Sequence, residues 1–224
     1  MIPAAANLAW VLVDTGSSAH VVVLSMAVSS IDSPSRLGQA QAVAEEVFIW
    51  AGLNPTVLRF GGLFHENVLI LHEATIRENG LIANSFGEGP APWISGADAA
   101  ELSVVHLLAP RPASAQISYP PPAEAINHAE VARIISTETG RSVRYEHISA
   151  ATWRKNLEIT GESDPASPIN NAMAQHISTI GAALSKRTEP IVAPDPHALA
   201  TVLNRAPTPF ADFVRQNLPR FAAS

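Results

Sequence analysis

The segment His72-Glu73-Ala74-Thr75-Ile76 begins like a zinc-protease helix. In that pattern two histidines one turn apart grip the metal and the glutamate activates water. Ile76 stands where the second histidine must be, so this segment cannot hold zinc. The other histidines are dispersed, none paired four residues apart, and His65-Glu66 and His72-Glu73 read as surface residues of a helix. No G-x-S-x-G nucleophile elbow occurs. The twelve glycines contain no G-x-G-x-x-G, G-x-x-G-x-x-G or G-x-x-x-x-G-K, and Gly87-x-Gly89 meets Pro92 where a third glycine would stand. No segment is therefore patterned to cradle a pyrophosphate on a helix N-terminus. Cysteine is absent, which removes thiolate nucleophiles, thiolate metal sites and disulfides together. The only tyrosines, Tyr119 and Tyr145, have no lysine four residues on, so the usual Tyr-x-x-x-Lys proton donor is excluded.

The elements that would position a site are clearer. The 224 residues are 47% hydrophobic and 15% charged, a globular composition rather than a disordered one. Net charge is −6, and Lys and Arg are scattered, adjacent only at Arg154-Lys155 and Lys186-Arg187. That pattern argues against direct nucleic-acid binding. No apolar run reaches the ~18 residues of a membrane span. The first segment carries Asp14 rather than a basic n-region, so the expectation is a cytoplasmic protein.

Ala4 to Val13, apolar nearly all round, reads as a buried helix. His20 to Ser25 is a β-branched run that reads as a fully buried strand of a parallel sheet. A helix over 39–50, with Val43, Val47 and Trp50 at helical spacing, leads to a strand over 56–60 that Gly61-Gly62 breaks. His65 to Glu78 reads as helix and 79–92 as loop; Trp93 to Ser95 is extended, and a helix follows over 98–108, capped from Ser95 or Asp98. Gln116 to Tyr119 is a weak strand, and Pro120-Pro121-Pro122 a rigid connector. Beyond it the pattern predicts helices over 127–139, from Ser149, over 169–184, 196–204 and 209–217, and one strand over 142–148. The front half alternates strand and helix, which means α/β with a parallel sheet, and the back half is mainly helical. The division by composition is 1–122 and 123–224.

One ordered set of segments carries a resemblance. VVVLS, AQAVAEEVFIWAGL, NPTVLRFGGLFHENVL, GEGPAPWISGADAAEL, NHAEVARIISTETGRSVRYEHISAATW and LNRAPTPFADFVRQNL together resemble the NmrA-like group of atypical short-chain dehydrogenases/reductases. ATIRENGLIANSFGEGPAPWIS is most similar to the branch of festuclavine and agroclavine dehydrogenase-like proteins of ergot alkaloid type. The resemblance covers nearly the whole chain and rests on order and spacing rather than on one motif. It implies a Rossmann-like parallel sheet, of which only the later strands are present, with a helical substrate-side region. It implies NADP or NAD as cofactor, no metal, and a small organic substrate such as an imine, quinone or enone. It also implies that four strands, roughly eighty or more residues, precede the segment matched here. The glycine-rich loop would lie among them, so nicotinamide dinucleotide binding by this form is expected to be impaired.

Residue by residue, the resemblance implies cofactor contacts from Ser25, Met26, Gln41, Phe60, Gly61 and Gly62, and substrate contacts from Leu63, Asn67 and Trp93. Met26 stands for a family serine, Gln41 for a lysine that bonds the nicotinamide ribose, and Phe60 for the proline before the two glycines. Each position also has a purely structural reading: Ser25 as a strand-end hydrogen bonder, the glycines as a turn, Asn67 as a brace, Trp93 as core, and Asp98 as a helix cap. Three functions stay open: a reductase in which positioning carries the rate, a non-catalytic regulator or protein-binding module, and an N-terminally incomplete chain. An unpartnered outer edge on the VVVLS strand leads to the expectation of a homo-oligomer through that edge or through the 4–13 helix.

Overall fold

The computed structural model describes residues 1–163 and 167–222. The fold is α/β, and its internal contacts gather into two units. One comprises Met1–Gly61 and Ala100–Pro120, the other Gly62–Ala99 and the chain from Pro121 onward. The later boundary falls at the proline connector. The grouping of 62–99 with the C-terminal part follows from long-range pairing that composition does not reveal.

In the first unit, β1 (Val22–Met26), β2 (Thr56–Phe60) and β6 (Gln116–Ser118) form a parallel sheet in the order β1-β2-β6. Val22 pairs with Thr56 and Met26 with Phe60; Thr56 in turn pairs with Gln116. Helix α1 (Ile2–Asp14) packs on α2 (Arg36–Trp50) through Ala5, Ala9, Ala44 and Phe48. Ser35 caps α2, its hydroxyl accepting from Gly38 N at 3.2 Å, and Ala51 with the left-handed Gly52 (φ +70°) closes it.

The structure departs from the sequence pattern at three elements of this unit. Helix α1 is not buried all round, since only Ala5 and Ala9 are buried and Trp10 is 66% exposed. Strand β1 is not fully buried: among the described residues it has the single neighbour β2, and Leu24 is 54% exposed. On α2, Val43 and Trp50 lie off the inner face, whereas Val47 packs against the core. Val43 and Trp50 are exposed, and Gln41, Ala42, Ala44, Glu45 and Phe48 turn inward. Hydrophobic spacing misplaced that face because two polar residues occupy it.

In the second unit, β3 (Leu63–Phe64), β5 (Ala91–Ile94) and β7 (Glu124–Ile126) form one small sheet, parallel between β3 and β5 and antiparallel between β5 and β7. β4 (Leu81–Asn84) pairs in parallel with β8 (Arg144–His147) and lies within the stretch expected to be loop. Helix α3 (Glu66–Asn79) ends at the left-handed Gly80. α4 (Gly96–Leu108) starts at Ser95, whose hydroxyl accepts from Asp98 N at 3.0 Å, and it continues into the first unit. α5 (His128–Thr139) is capped by Asn127 and ended by Gly140, as its pattern predicts. Then follow α6 (Ala150–Ser163), α7 (Asn171–Leu184), α8 (Pro196–Leu203), α9 (Phe210–Gln216) and α10 (Leu218–Phe221). The core joins Val68, Ile76, Ile82, Trp93, Val131 and Ile135 to Phe210, Phe213 and Phe221. No helix among the described residues is long and apolar enough to cross a membrane.

Candidate functional site

Parallel strands place ligands at their carboxyl ends, because the helices that follow present their N-termini there. At that end of the first unit, β1 supplies Ser25 and Met26, and β2 supplies Arg59 and Phe60 in register with them. Ser25 is buried and donates its hydroxyl proton to Glu45 Oε1. Glu45, 1% exposed, faces Arg59, whose Nη2 lies 2.5 Å from Oε2. That contact, larger than the opposing effect of burial, raises the guanidinium further above its ordinary range. Arg59 Nη1 donates to Tyr119 Oη at 3.0 Å. Gln41 is buried one turn from Glu45, its Nε2 donating to Leu24 O at 3.4 Å. Met26 and Gly61 are half-buried, Phe60 is buried, and Phe60 O accepts from Ala27 N at 2.8 Å. The loop after β1 holds Ser29, whose buried hydroxyl has no hydrogen-bond partner.

Five of the six residues assigned to the cofactor by resemblance are thus gathered on β1, α2 and the end of β2; Gly62 belongs to the second unit. Glu45, Arg59 and Tyr119 were missed. Their signal was present: an arginine inside the apolar strand TVLRF needs a buried counter-charge.

In the second unit, Gly62 runs against β5, where a Cβ would meet Pro92 O at 3.1 Å. Leu63 pairs with Trp93. Trp93 is 1% exposed and its Nε1 donates to Ile126 O at 2.9 Å, so it is part of the core. Asn67 stands half-buried on the first turn of α3. Beside it, the Glu66 carboxylate accepts from Gly96 N at 2.9 Å. Asp98 is buried, accepting from Thr208 N at 2.8 Å and pairing with Arg205 at 2.7 Å. It anchors the 205–208 segment rather than capping α4.

His65 and His72 are not surface residues. Both are buried. His65 lies among Trp93, Phe210 and Phe213 with neither ring nitrogen hydrogen-bonded, and Glu124 Oε1 is 3.7 Å from its Nε2. Burial, weakly opposed by Asp98, pushes its pKa down to about 4, so the ring is neutral and no ion pair forms. His72 stacks on Trp153 and meets Asn84 Nδ2 through Nε2 at 3.3 Å; burial lowers it to about 3. His128, stacked on Phe86, is likewise lowered to about 3 by burial. Tyr145 donates to Asn84 Oδ1 at 3.2 Å and accepts from Gly87 N at 3.0 Å; burial raises it to about 12. Among the described residues no group of three or more His, Asp or Glu side chains could hold a metal ion.

No protein-family model matches the chain. It is 31% identical over 159 residues to NAD(P)H azoreductase of Xenophilus azovorans, a match covering 68% of this chain and 52% of that protein. The chain spans about half the length of the curated relatives it matches. Its fold is similar to that of the NADPH-dependent quinone oxidoreductase QOR2 of Escherichia coli, with a TM-score of 0.76 at 18% identity, over 96% of this chain and 73% of the other. It is also similar to an NmrA double mutant, with a TM-score of 0.70 at 15% identity, over 99% and 71%. These likenesses show a Rossmann-like α/β fold, shared with QOR2 and NmrA.

Proposed function

We propose that the chain is an NAD(P)-linked oxidoreductase acting on a small organic acceptor with a C=N, N=N or quinonoid bond. The observation that carries this reading is the 31% identity to an NAD(P)H azoreductase across two thirds of the chain. The residues at the carboxyl ends of β1 and β2 fit a nicotinamide: Ser29 offers a buried hydroxyl without a partner, and Gln41 an amide. Ser25, Met26, Gln41, Phe60, Gly61 and Gly62 are assigned to cofactor and Leu63 and Asn67 to the substrate side, while Trp93, expected there by the resemblance, lies in the core and only positions its strand. A bound nicotinamide supplies the hydride. The chain supplies position: Glu45 fixes Ser25, and Trp93, pinned through Ile126, fixes the strand that pairs with that of Leu63. The sequence has no glycine-rich phosphate loop, so dinucleotide affinity is expected to be weaker than micromolar.

Calorimetry with NADP⁺ and NAD⁺, together with NADPH oxidation at 340 nm in the presence of an azo dye or a naphthoquinone, tests the reading. Turnover at millimolar NADPH supports it. No turnover with either acceptor and no heat of binding would remove it and leave the regulator reading.

A specific observation favours self-association as well. Residues 15–31 carry no charged side chain and Asp14 is the only one on α1, although the chain is at −6. The free edge of β1 lies on this neutral segment, and exposed Trp10 and Val13 stand on α1. A second copy of the chain is the occupant proposed, since a neutral edge on a charged protein repels itself least. Sedimentation velocity should show a dimer or larger assembly; a monomer across the micromolar range would exclude it.

A further inference from the structure

Ser25, Arg59 and Tyr119 stand in one row at the carboxyl ends of the parallel sheet. Ser25 pairs with Arg59 and Leu58 with Ser118, so Tyr119 follows β6 as Arg59 follows Leu58. Residues in register on parallel strands point to the same face, and Glu45 reaches this row from α2.

The hydrogen bonds of the row have a fixed polarity. Ser25 Oγ donates to Glu45, and Arg59 donates through Nε and Nη2 to the same carboxylate. Arg59 Nη1 then donates to Tyr119 Oη at 3.0 Å, while the guanidinium carbon lies 6.0 Å from the centre of the ring. Tyr119 Oη therefore accepts from a cation, and among the described residues no protein group takes its own proton. The side chain is 48% exposed. If the phenol gives its proton outward, the charge left on oxygen faces the guanidinium already bonded to it. The sequence has no lysine four residues after a tyrosine; here a cation reaches the phenol from the neighbouring strand instead.

We propose that Tyr119 is the proton donor of the reduction, with Arg59 as the cation that stabilises its phenolate and Glu45 as the positioning residue that holds Arg59. The proposal rests on the oxidoreductase reading. The acceptor gains a hydride from the reduced nicotinamide at one atom of its double bond. The other atom takes the proton as the Tyr119 O–H bond breaks. Water, which reaches the exposed phenol, restores the proton. The acceptor is reduced by two electrons and the nicotinamide is oxidised by two. The class of acceptor that needs such a donor is one whose reduction leaves negative charge on nitrogen or oxygen, such as an azo compound or an imine.

The test compares the full chain with Tyr119→Phe, using an azo dye and millimolar NADPH. The expected result is a fall in kcat of about 100-fold or more, with KM for the dye, NADP⁺ affinity and melting temperature within twofold or a degree of the original. Nitration by tetranitromethane, mapped on peptides, provides a readout apart from turnover. Millimolar NADP⁺ should protect Tyr119 at least about tenfold and leave the labelling of Tyr145 unchanged. If the parent chain reduces the dye and Tyr119→Phe does so within threefold, or if NADP⁺ binds without protecting Tyr119, the donor role is overturned and the oxidoreductase reading stands. If the parent chain neither binds NADP⁺ nor reduces the dye, the reading itself falls and the donor role with it.

Discussion

Arg59 and Glu45 form a two-pronged pair inside the three-stranded unit, with Nη2 at 2.5 Å and Nε at 3.2 Å from the same carboxylate oxygen. The carboxylate is 1% exposed and the arginine side chain 18%. Removing one partner of such a pair leaves the other charge in the interior, at a cost of about 3 kcal/mol. Glu45→Ala should lower the urea midpoint accordingly, read by far-UV circular dichroism. Glu45→Gln, whose amide oxygen can still accept from Ser25, should lose less. Equal stability of all three proteins would mean that water already shares the pair.

The three buried histidines of the second unit make its stability depend on pH. His65, His72 and His128 fold with pKa values near 4, 3 and 3, below the unfolded value of 6.5. Below pH 6.5 the unfolded chain therefore binds more protons than the folded one, and stability falls as pH falls toward 4. Glu124, raised mainly by burial, acts in the opposite direction. Trp93 and Trp153 are buried in this unit, while Trp10 and Trp50 of the first unit are exposed. A red shift of tryptophan emission on acidification from pH 6.5 to 4, at fixed mild urea, should report the second unit. His72→Gln should flatten the dependence.

Gly80 and Gly52 share a left-handed backbone, with φ of +58° and +70°, but not the same surroundings. A Cβ on Gly80 would fall against Ser142 O, next to the β4–β8 pairing, whereas Gly52 has open space. Gly52→Ala should cost about 1 kcal/mol from backbone strain alone. Gly80→Ala should cost clearly more, since the strand that carries Ser142 must also move. Paired thermal melts decide it, and equal losses would contradict the crowding.

Leu24 lies on the free edge strand and is half exposed. Leu24→Lys should reduce self-association at least tenfold in sedimentation and change the melting temperature by no more than a degree or two. A lysine is tolerated on an edge and disfavours pairing with a second copy.

Much of the molecule was legible in the residues themselves. Asn127 with Glu130 and Gly140 announced both ends of α5, because caps are local hydrogen bonds whose partners lie within four residues. The β-branched run from Val21 and the Gly61-Gly62 break marked β1 and the end of β2 through the backbone preferences of those residue types, although the partners of the strands lie more than thirty residues apart. The order of segments also identified the fold class. Tertiary structure alone decided which way the helices turn and which charges meet. Burial of His65 and His72 depends on Phe210, Phe213 and Trp153, which lie far along the chain. The inward face of α2 follows from Glu45 meeting an arginine on a strand fourteen residues away. Tyr119 gains its cation from a strand sixty residues earlier. Short-range patterns record local hydrogen bonds and hydrophobic period; a buried charge is stable only beside a partner that the folded chain brings to it.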